Sequence, residues 1–309
     1  SRMSSIKTKL WPLFATLEFL KIINSRFDLV IISNYTALLS LQFVRAKVLK
    51  DLNYKIVFHG RDYDYIKSKP FLRDRLIVRN KIFSVLKYSN EIVAVSNYLK
   101  KEMLSVGYFD ESVKVIHHGI PKDEVLNIET KSFEAKSKFK IIAAGRLEKE
   151  KNFNVLIRAI ETLNDSYNVD VELDIYGEGT KERELSDYIE TNSIENIIIN
   201  SKVSQKKLMT LYEEYDFIIS LSEKETFGLI FIEAMSKGCI VVSYENGSIQ
   251  EIVNNEHDGF IINSLDHYEI AKDLNKIIHD FDLNEVRRNA SFKIKDKFMI
   301  SQMVNEYIK

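Results

Sequence analysis

The sequence predicts an α/β protein made of two Rossmann-like, doubly wound domains, and three observations carry that reading. Short apolar runs alternate with segments of helical period along nearly the whole chain. Turns of the hairpin type between those runs are few, which favours parallel strands joined by crossovers. The pattern pauses once, in a charged, strand-poor stretch at 121–137, and then restarts. The expected organisation is a first domain at 1–120, a linker at 121–137, a second domain at 138–293, and a C-terminal helix at 294–309 that packs back on the first domain.

Each element follows from local pattern. Residues 9–23 place Leu10, Phe14, Leu17, Leu20 and Ile23 on one helical face, with Pro12 tolerated in the first turn. Residues 27–33 form a buried strand, 38–52 a helix, and 55–58 a second strand that stops at His59-Gly60-Arg61-Asp62. A helix at 71–88, a strand at 91–95, a helix at 97–106 capped by Ser96 or Asn97, and a strand at 113–116 complete the first domain. In the second, strands are expected at 139–144, 171–176, 197–199, 216–221, 240–243 and 259–262. Helices are expected at 152–163, 181–192, 204–212, 229–237 and 268–280, with a helical turn at 248–253 and closing helices at 283–290 and 294–308.

Composition narrows the function classes. The 309 residues are 45% hydrophobic and 29% charged, as in a folded soluble chain. A chain of this size buries about 75% of its extended surface, enough for two cores. The single cysteine, Cys239, rules out an intramolecular disulfide and fits a reducing, cytoplasmic compartment. The longest uncharged run, 29–44, is too short and too polar to span a bilayer, and no secretory signal is readable at the start. Charge is uneven: 20 Lys+Arg face 10 Asp+Glu up to Ile120, against 24 and 35 beyond it. A basic first half suits nucleic acid or an anionic membrane surface, but motifs for nucleic-acid binding are absent. Two ordinary charged surfaces that attract each other would give the same counts.

Open parallel sheets bind ligands at the carboxyl ends of their strands, so polar residues where apolar strands stop are the candidates. Gly145-Arg146, with Lys149 and Lys151 following, offers close backbone approach, a planar fork and point charges for phosphate. The alternating Glu148-Lys149-Glu150-Lys151 equally fits a solvated face. Tyr176-Gly177-Glu178-Gly179 suits a ligand-facing turn or a plain one. The stretch Ser220 to Ala234 ends a strand, crosses a polar loop and opens a helix at Phe227-Gly228; inside that apolar helix, Glu233 needs a partner. His59 ends a strand of the first domain, where an isolated histidine is more often structural. His117-His118 reads as packing or hinge. Asp62-Tyr63-Asp64 and Asp280-Phe281-Asp282 space carboxylates as a divalent ion would need, a pattern common by chance. No Walker motif and no G-x-S-x-G elbow is present.

Together these pieces resemble the retaining GT-B glycosyltransferases of family four, the glycosyl transferases group 1 of bacterial cell-surface polysaccharide synthesis. The similarity rests on Val115-Ile116-His117-His118-Gly119-Ile120, Gly145-Arg146-Leu147 with Lys151, Glu225 and Glu233 as an E-x7-E pair, Asn246-Gly247-Ser248, Glu251-Ile252-Val253 and Asp258-Gly259. It implies catalytic roles for His59, Glu225, Arg146 and Lys151. It implies a donor site of Gly145, Arg146, Lys151, Gly177, Val203, Glu225, Thr226, Phe227, Gly228, Leu229 and Glu233. Arg146 and Lys151 would hold the diphosphate, Glu233 the ribose, Glu225 the sugar hydroxyls beside the amides of Phe227, Gly228 and Leu229, and Val203 and the Gly177 turn the base. His59 would touch the donor sugar. Asn152 and Thr226 stand where relatives usually have glycine, and the strand and glycine-rich loop that normally open the first domain are missing, so that domain is expected to be shortened.

The function implied is transfer of a hexose or N-acetylhexosamine, with retention, from a nucleotide sugar (a UDP-sugar in preference) to a polysaccharide or lipid-linked glycan. The nucleotide sugar is a co-substrate, and no metal or other cofactor is expected. The other expected partners are the glycan acceptor and an anionic membrane touched peripherally, with no nucleic acid. A catalytically inactive donor-binding scaffold and a nucleotide-sugar epimerase fit the same motifs.

Overall fold

The computed structural model describes residues 27–33, 41, 44, 46–60, 85–105, 107, 109–126 and 137–309. The expected helix at 9–23, residues 61–84 with Arg61 and the Asp62-Tyr63-Asp64 pair, and residues 127–136 of the linker lie outside them. Two compact units emerge: Ser1–His117 with Glu306–Lys309, and His118–Asn305.

The first unit holds a four-stranded sheet of β1 (Val30–Ser33), β2 (Tyr54–Phe58), β3 (Glu91–Ala94) and β4 (Lys114–Val115), in that spatial order. Every pair is parallel, with Val30 beside Tyr54, Lys55 beside Glu91 and Val93 beside Lys114. All five residues of β2 are buried, as an inner strand covered on both faces requires. The helices described are α1 (Ala46–Asp51) and α2 (Asn97–Ser105). Ser96 caps α2: its hydroxyl accepts from the Leu99 amide at 3.0 Å.

The second unit is a six-stranded parallel sheet of β5 (Lys138–Ala144), β6 (Asp170–Tyr176), β7 (Ile197–Asn200), β8 (Phe217–Ser220), β9 (Ile240–Tyr244) and β10 (Phe260–Ile262), ordered β10-β9-β8-β5-β6-β7. Its helices are α3 (Phe153–Tyr167), α4 (Glu182–Thr191), α5 (Gln205–Leu211), α6 (Leu229–Ser236), α7 (Ile249–Ile252), α8 (His267–Asp280) and α9 (Leu283–Lys297). α3 shows the sequence logic most clearly. Phe153, Leu156, Ile157, Ile160 and Leu163 recur at helical spacing and are buried in one core with Leu173 and Ile175 of β6 and Ile270, Leu274 and Ile277 of α8. Each such side chain contributes about 1.5–3 kcal/mol by leaving water.

Helix ends differ from expectation in two places: α3 runs to Tyr167, four residues past the expected end, and the C-terminal helices divide later than expected. Sequence reading divides the C-terminal helices between 290 and 294, but α9 continues to Lys297 and α10 (Ile300–Ile308) starts only after Phe298-Met299. The cause of this later division is tertiary. Met299 forms a parallel bridge to Ile120, with the Ile120 amide donating to Phe298 O at 2.7 Å and the Ile300 amide to Ile120 O at 3.0 Å. Gly119 permits that approach, since a Cβ there would lie 2.6 Å from Ile300 N.

Candidate functional site

In the second sheet β5 has β8 on one side and β6 on the other, so the order reverses beside β5. That reversal is where open α/β sheets place ligands, beyond the carboxyl ends of the strands. The loop after β5 carries Gly145 to Asn152, and the loop after β8 carries Leu221 to Gly228.

Side chains tie these two loops together. Lys151 Nζ donates to Glu225 Oε2 and to Ser222 Oγ, both at 3.1 Å, and the ion pair is only about one-fifth exposed on either side. Asn152 Nδ2 donates to Leu221 O at 3.0 Å and to Glu223 Oε1 at 3.2 Å, while the Glu223 amide donates to Glu150 O at 3.2 Å. The departure from glycine at Asn152 is thereby explained. Its φ is 54° and ψ 33°, a left-handed geometry that glycine adopts freely and asparagine tolerates, and its amide is used as a brace.

The loop after β9 braces the second one in turn. Ser248 Oγ donates to Glu225 O at 2.8 Å and lies 3.2 Å from Phe227 O, and Asn246 Nδ2 donates to Ser222 O at 3.2 Å. Phe227 is buried edge-on against His118, ring centroids 5.2 Å apart, and against Phe298 at 6.2 Å. Gly228, at φ 93°, turns the chain into α6, leaving Leu229 exposed at the helix start and Thr226 half-buried in the loop.

The remaining candidates fall around this frame. Arg146 is exposed and donates to Glu150 Oε1 at 3.0 Å. Pairs so exposed contribute below about 1 kcal/mol, so a bound phosphate can replace Glu150 at little cost. Gly177 serves packing. Its amide donates to Asn200 O at 3.1 Å, the Gly145 amide donates to Tyr176 O at 3.0 Å, and a Cβ on Gly177 would lie 2.0 Å from Gly145 O. Val203 is half-buried just before Ser204, which caps α5. Glu233, on α6, is 4% exposed, and its Oε1 accepts from Gln205 Nε2 at 2.6 Å. Burial raises its pKa above the usual carboxylate value, and the Gln205 hydrogen bond partly offsets that.

His59 belongs to the first unit. It follows β2, and its Nε2 lies 2.6 Å from Oγ of Ser33 at the end of β1. Asp282 accepts from the Asn284 and Glu285 amides as the cap of α9, so the Asp280-Phe281-Asp282 spacing reflects helix capping. Among the described residues no group of three or more His, Cys, Asp and Glu side chains is placed to hold a metal ion. Gln205 and the bracing roles of Ser222 and Asn246 are what sequence reading missed. A carboxylate in an apolar helix announced the need for Gln205, but nothing local pointed 28 residues upstream to it.

Residues 126–294 match the family model described as glycosyl transferases group 1, and residues 2–124 match the model described as glycosyltransferase family 4. An uncharacterized 41.2 kDa protein in the cps region of Klebsiella pneumoniae is 23% identical across 99% of this chain and 83% of its own length. The capsular polysaccharide biosynthesis glycosyltransferase CapM of Staphylococcus aureus is 26% identical across 71% of this chain, which spans 60% of CapM. The crystal structure of Anabaena Alr3699/HepE in complex with UDP and glucose superposes with a TM-score of 0.71 at 17% identity, covering 94% of this chain and 79% of that one. Two Rossmann-like units, a switch-point site tied by Lys151 and Glu225, and a family match over more than half the chain agree: this protein has the GT-B fold and belongs to the glycosyl transferases group 1 family.

Proposed function

We propose that this chain is a retaining glycosyltransferase that moves a hexose or N-acetylhexosamine from a UDP-sugar to a polysaccharide or lipid-linked glycan. The observation that carries the reading is the Lys151–Glu225–Ser222 contact at the point where the strand order reverses. A cation and a carboxylate held there suit the two ends of a nucleotide sugar, phosphate oxygens and sugar hydroxyls. Lys151 and Arg146 neutralise charge as the nucleoside diphosphate leaves, the kind of electrostatic work that dominates such catalysis. Glu225 and the backbone amides of Phe227, Gly228 and Leu229 take the sugar, Glu233 takes the ribose, and Val203 and the Gly177 turn face the base. Retention follows from front-face attack in which the departing phosphate accepts the acceptor's proton. The capsule context of CapM and the cps-region relative supports a cell-surface glycan as acceptor.

Among the described residues no helix is long and apolar enough to cross a membrane. The surplus of basic residues up to Ile120 supports peripheral contact with anionic lipid. The activity is tested by incubating the protein with UDP-glucose or UDP-N-acetylglucosamine and a membrane-derived glycan fraction, then following UDP release and the anomeric configuration of the product. UDP release that depends on the acceptor, with an α-linked product, is expected. A donor converted to its epimer without acceptor, or no turnover of any nucleotide sugar, contradicts it.

A further inference from the structure

Glu233 is the most deeply buried of the charged candidate residues and its surroundings set a definite problem. It is flanked on α6 by Phe231, Ile232, Ala234 and Met235, all fully buried. A carboxylate in such a place is either neutral or held by a donor. The donor is Gln205 Nε2, 2.6 Å from Oε1, on the first residue of α5. Oε2 takes no donor among the described residues.

The choice of an amide matters. A lysine or arginine at this position would neutralise the carboxylate and compete with a ligand for it. A neutral amide fixes one oxygen and leaves the charge uncompensated, so the second oxygen stays a strong acceptor for hydroxyl groups. Gln205 is also positioned independently of Glu233. Ser204 caps α5 by accepting from the Lys207 amide at 3.3 Å, and Val203, the candidate base contact, lies two residues before Gln205 on the same turn. One short segment thus carries both the candidate base contact and the amide that meets the carboxylate.

We propose that Gln205 is a positioning residue for ribose recognition: its amide holds the Glu233 carboxylate so that the free oxygen accepts from the vicinal diol of a nucleoside diphosphate. The assignment rests on the nucleotide-sugar reading of the site.

Other groups near Glu233 do not supply this function. Tyr212, in the turn after α5, is fully buried with no hydrogen-bond partner for its hydroxyl, and burial, with Glu233 and Cys239 adding, keeps it a neutral phenol. The Cys239 thiol lies 3.0 Å from Tyr212 O. Arg287 of α9, which packs on α6, is buried and donates to Asn284 Oδ1 at 3.0 Å. Burial lifts the pKa of Glu233, and the Gln205 hydrogen bond draws it back down. Removing the amide therefore raises the pH needed to keep the carboxylate ionised.

The test is calorimetric titration of the full chain with UDP and with 2′-deoxyuridine diphosphate, from pH 5.5 to 8.5, for the wild type, Gln205→Met and Gln205→Glu. Gln205 is solvent-exposed at the start of α5, so neither variant loses core packing. Wild type is expected to prefer UDP. Gln205→Met is expected to lose about tenfold in UDP affinity at pH 6, less at pH 8.5, with binding of the deoxy compound little changed. Gln205→Glu, which sets two carboxylates together, is expected to show the steeper pH dependence. Equal losses for both ligands at every pH, or wild-type behaviour in Gln205→Met, overturns the assignment while leaving the nucleotide reading intact. Failure of the wild type to bind UDP at all removes the nucleotide reading and the assignment together.

Discussion

At the scale of single residues the site is built from side chains with two duties. Asn152 supplies a left-handed backbone and an amide brace between loops. Asn152→Gly keeps the first and loses the second, whereas Asn152→Ala loses both, so alanine is expected to cost about 1 kcal/mol more in a denaturant titration. Glu233 illustrates the conflict between function and stability. Its folded pKa is raised, so ionising the carboxylate costs the native state more than the unfolded chain, and the stability lost at higher pH returns as the pH falls from the folded pKa toward the ordinary carboxylate value. Glu233→Gln is therefore expected to melt higher than wild type at pH 8, with the advantage shrinking toward pH 5, while losing nucleotide binding. A melting difference independent of pH would show that burial of charge is not the cause. Much of this site was legible: Arg146, Lys151, Glu225 and Glu233 all stand where strands stop or where an apolar helix carries a carboxylate. Their pairings were not legible, because Lys151 meets Glu225 across 74 residues and Glu233 meets Gln205 across 28.

At the scale of elements the strand–helix alternation was readable from periodicity, since α3 and its strands keep helical and strand spacing cleanly. Features that depend on contact between distant backbones were not. The Gly177 turn read equally well as ligand-facing or plain, but the neighbour of Gly177 in space is the carbonyl of Gly145, which leaves no room for a side chain. Gly177→Ala is expected to destabilise the second unit by about 3 kcal/mol, because backbone cannot yield as a flexible side chain does; a melting temperature unchanged from wild type would refute that packing. The break between α9 and α10 was misplaced for a related reason. The apolar period runs on through Ile294, and only the pairing of Met299 with Ile120 decides where the helix stops.

At the scale of the whole molecule the two halves of the sequence carry charge of opposite sign, with the basic surplus in the first 120 residues. Peripheral attraction to anionic lipid predicts co-sedimentation with phosphatidylglycerol vesicles at low salt and release at 0.5 M salt, where the Debye length is about 4 Å. Retention in the supernatant at low salt contradicts it. The central claim concerns the second unit, that the reversal beside β5 binds a nucleoside diphosphate. The direct measurement is isothermal titration of UDP, without added metal, into wild type, Lys151→Ala and Glu233→Ala. Saturable binding by the wild type, weakened about tenfold or more by each substitution, is the result expected from a charge-assisted contact at each end of the ligand. Binding that both substitutions leave untouched would place the nucleotide elsewhere and contradict the account.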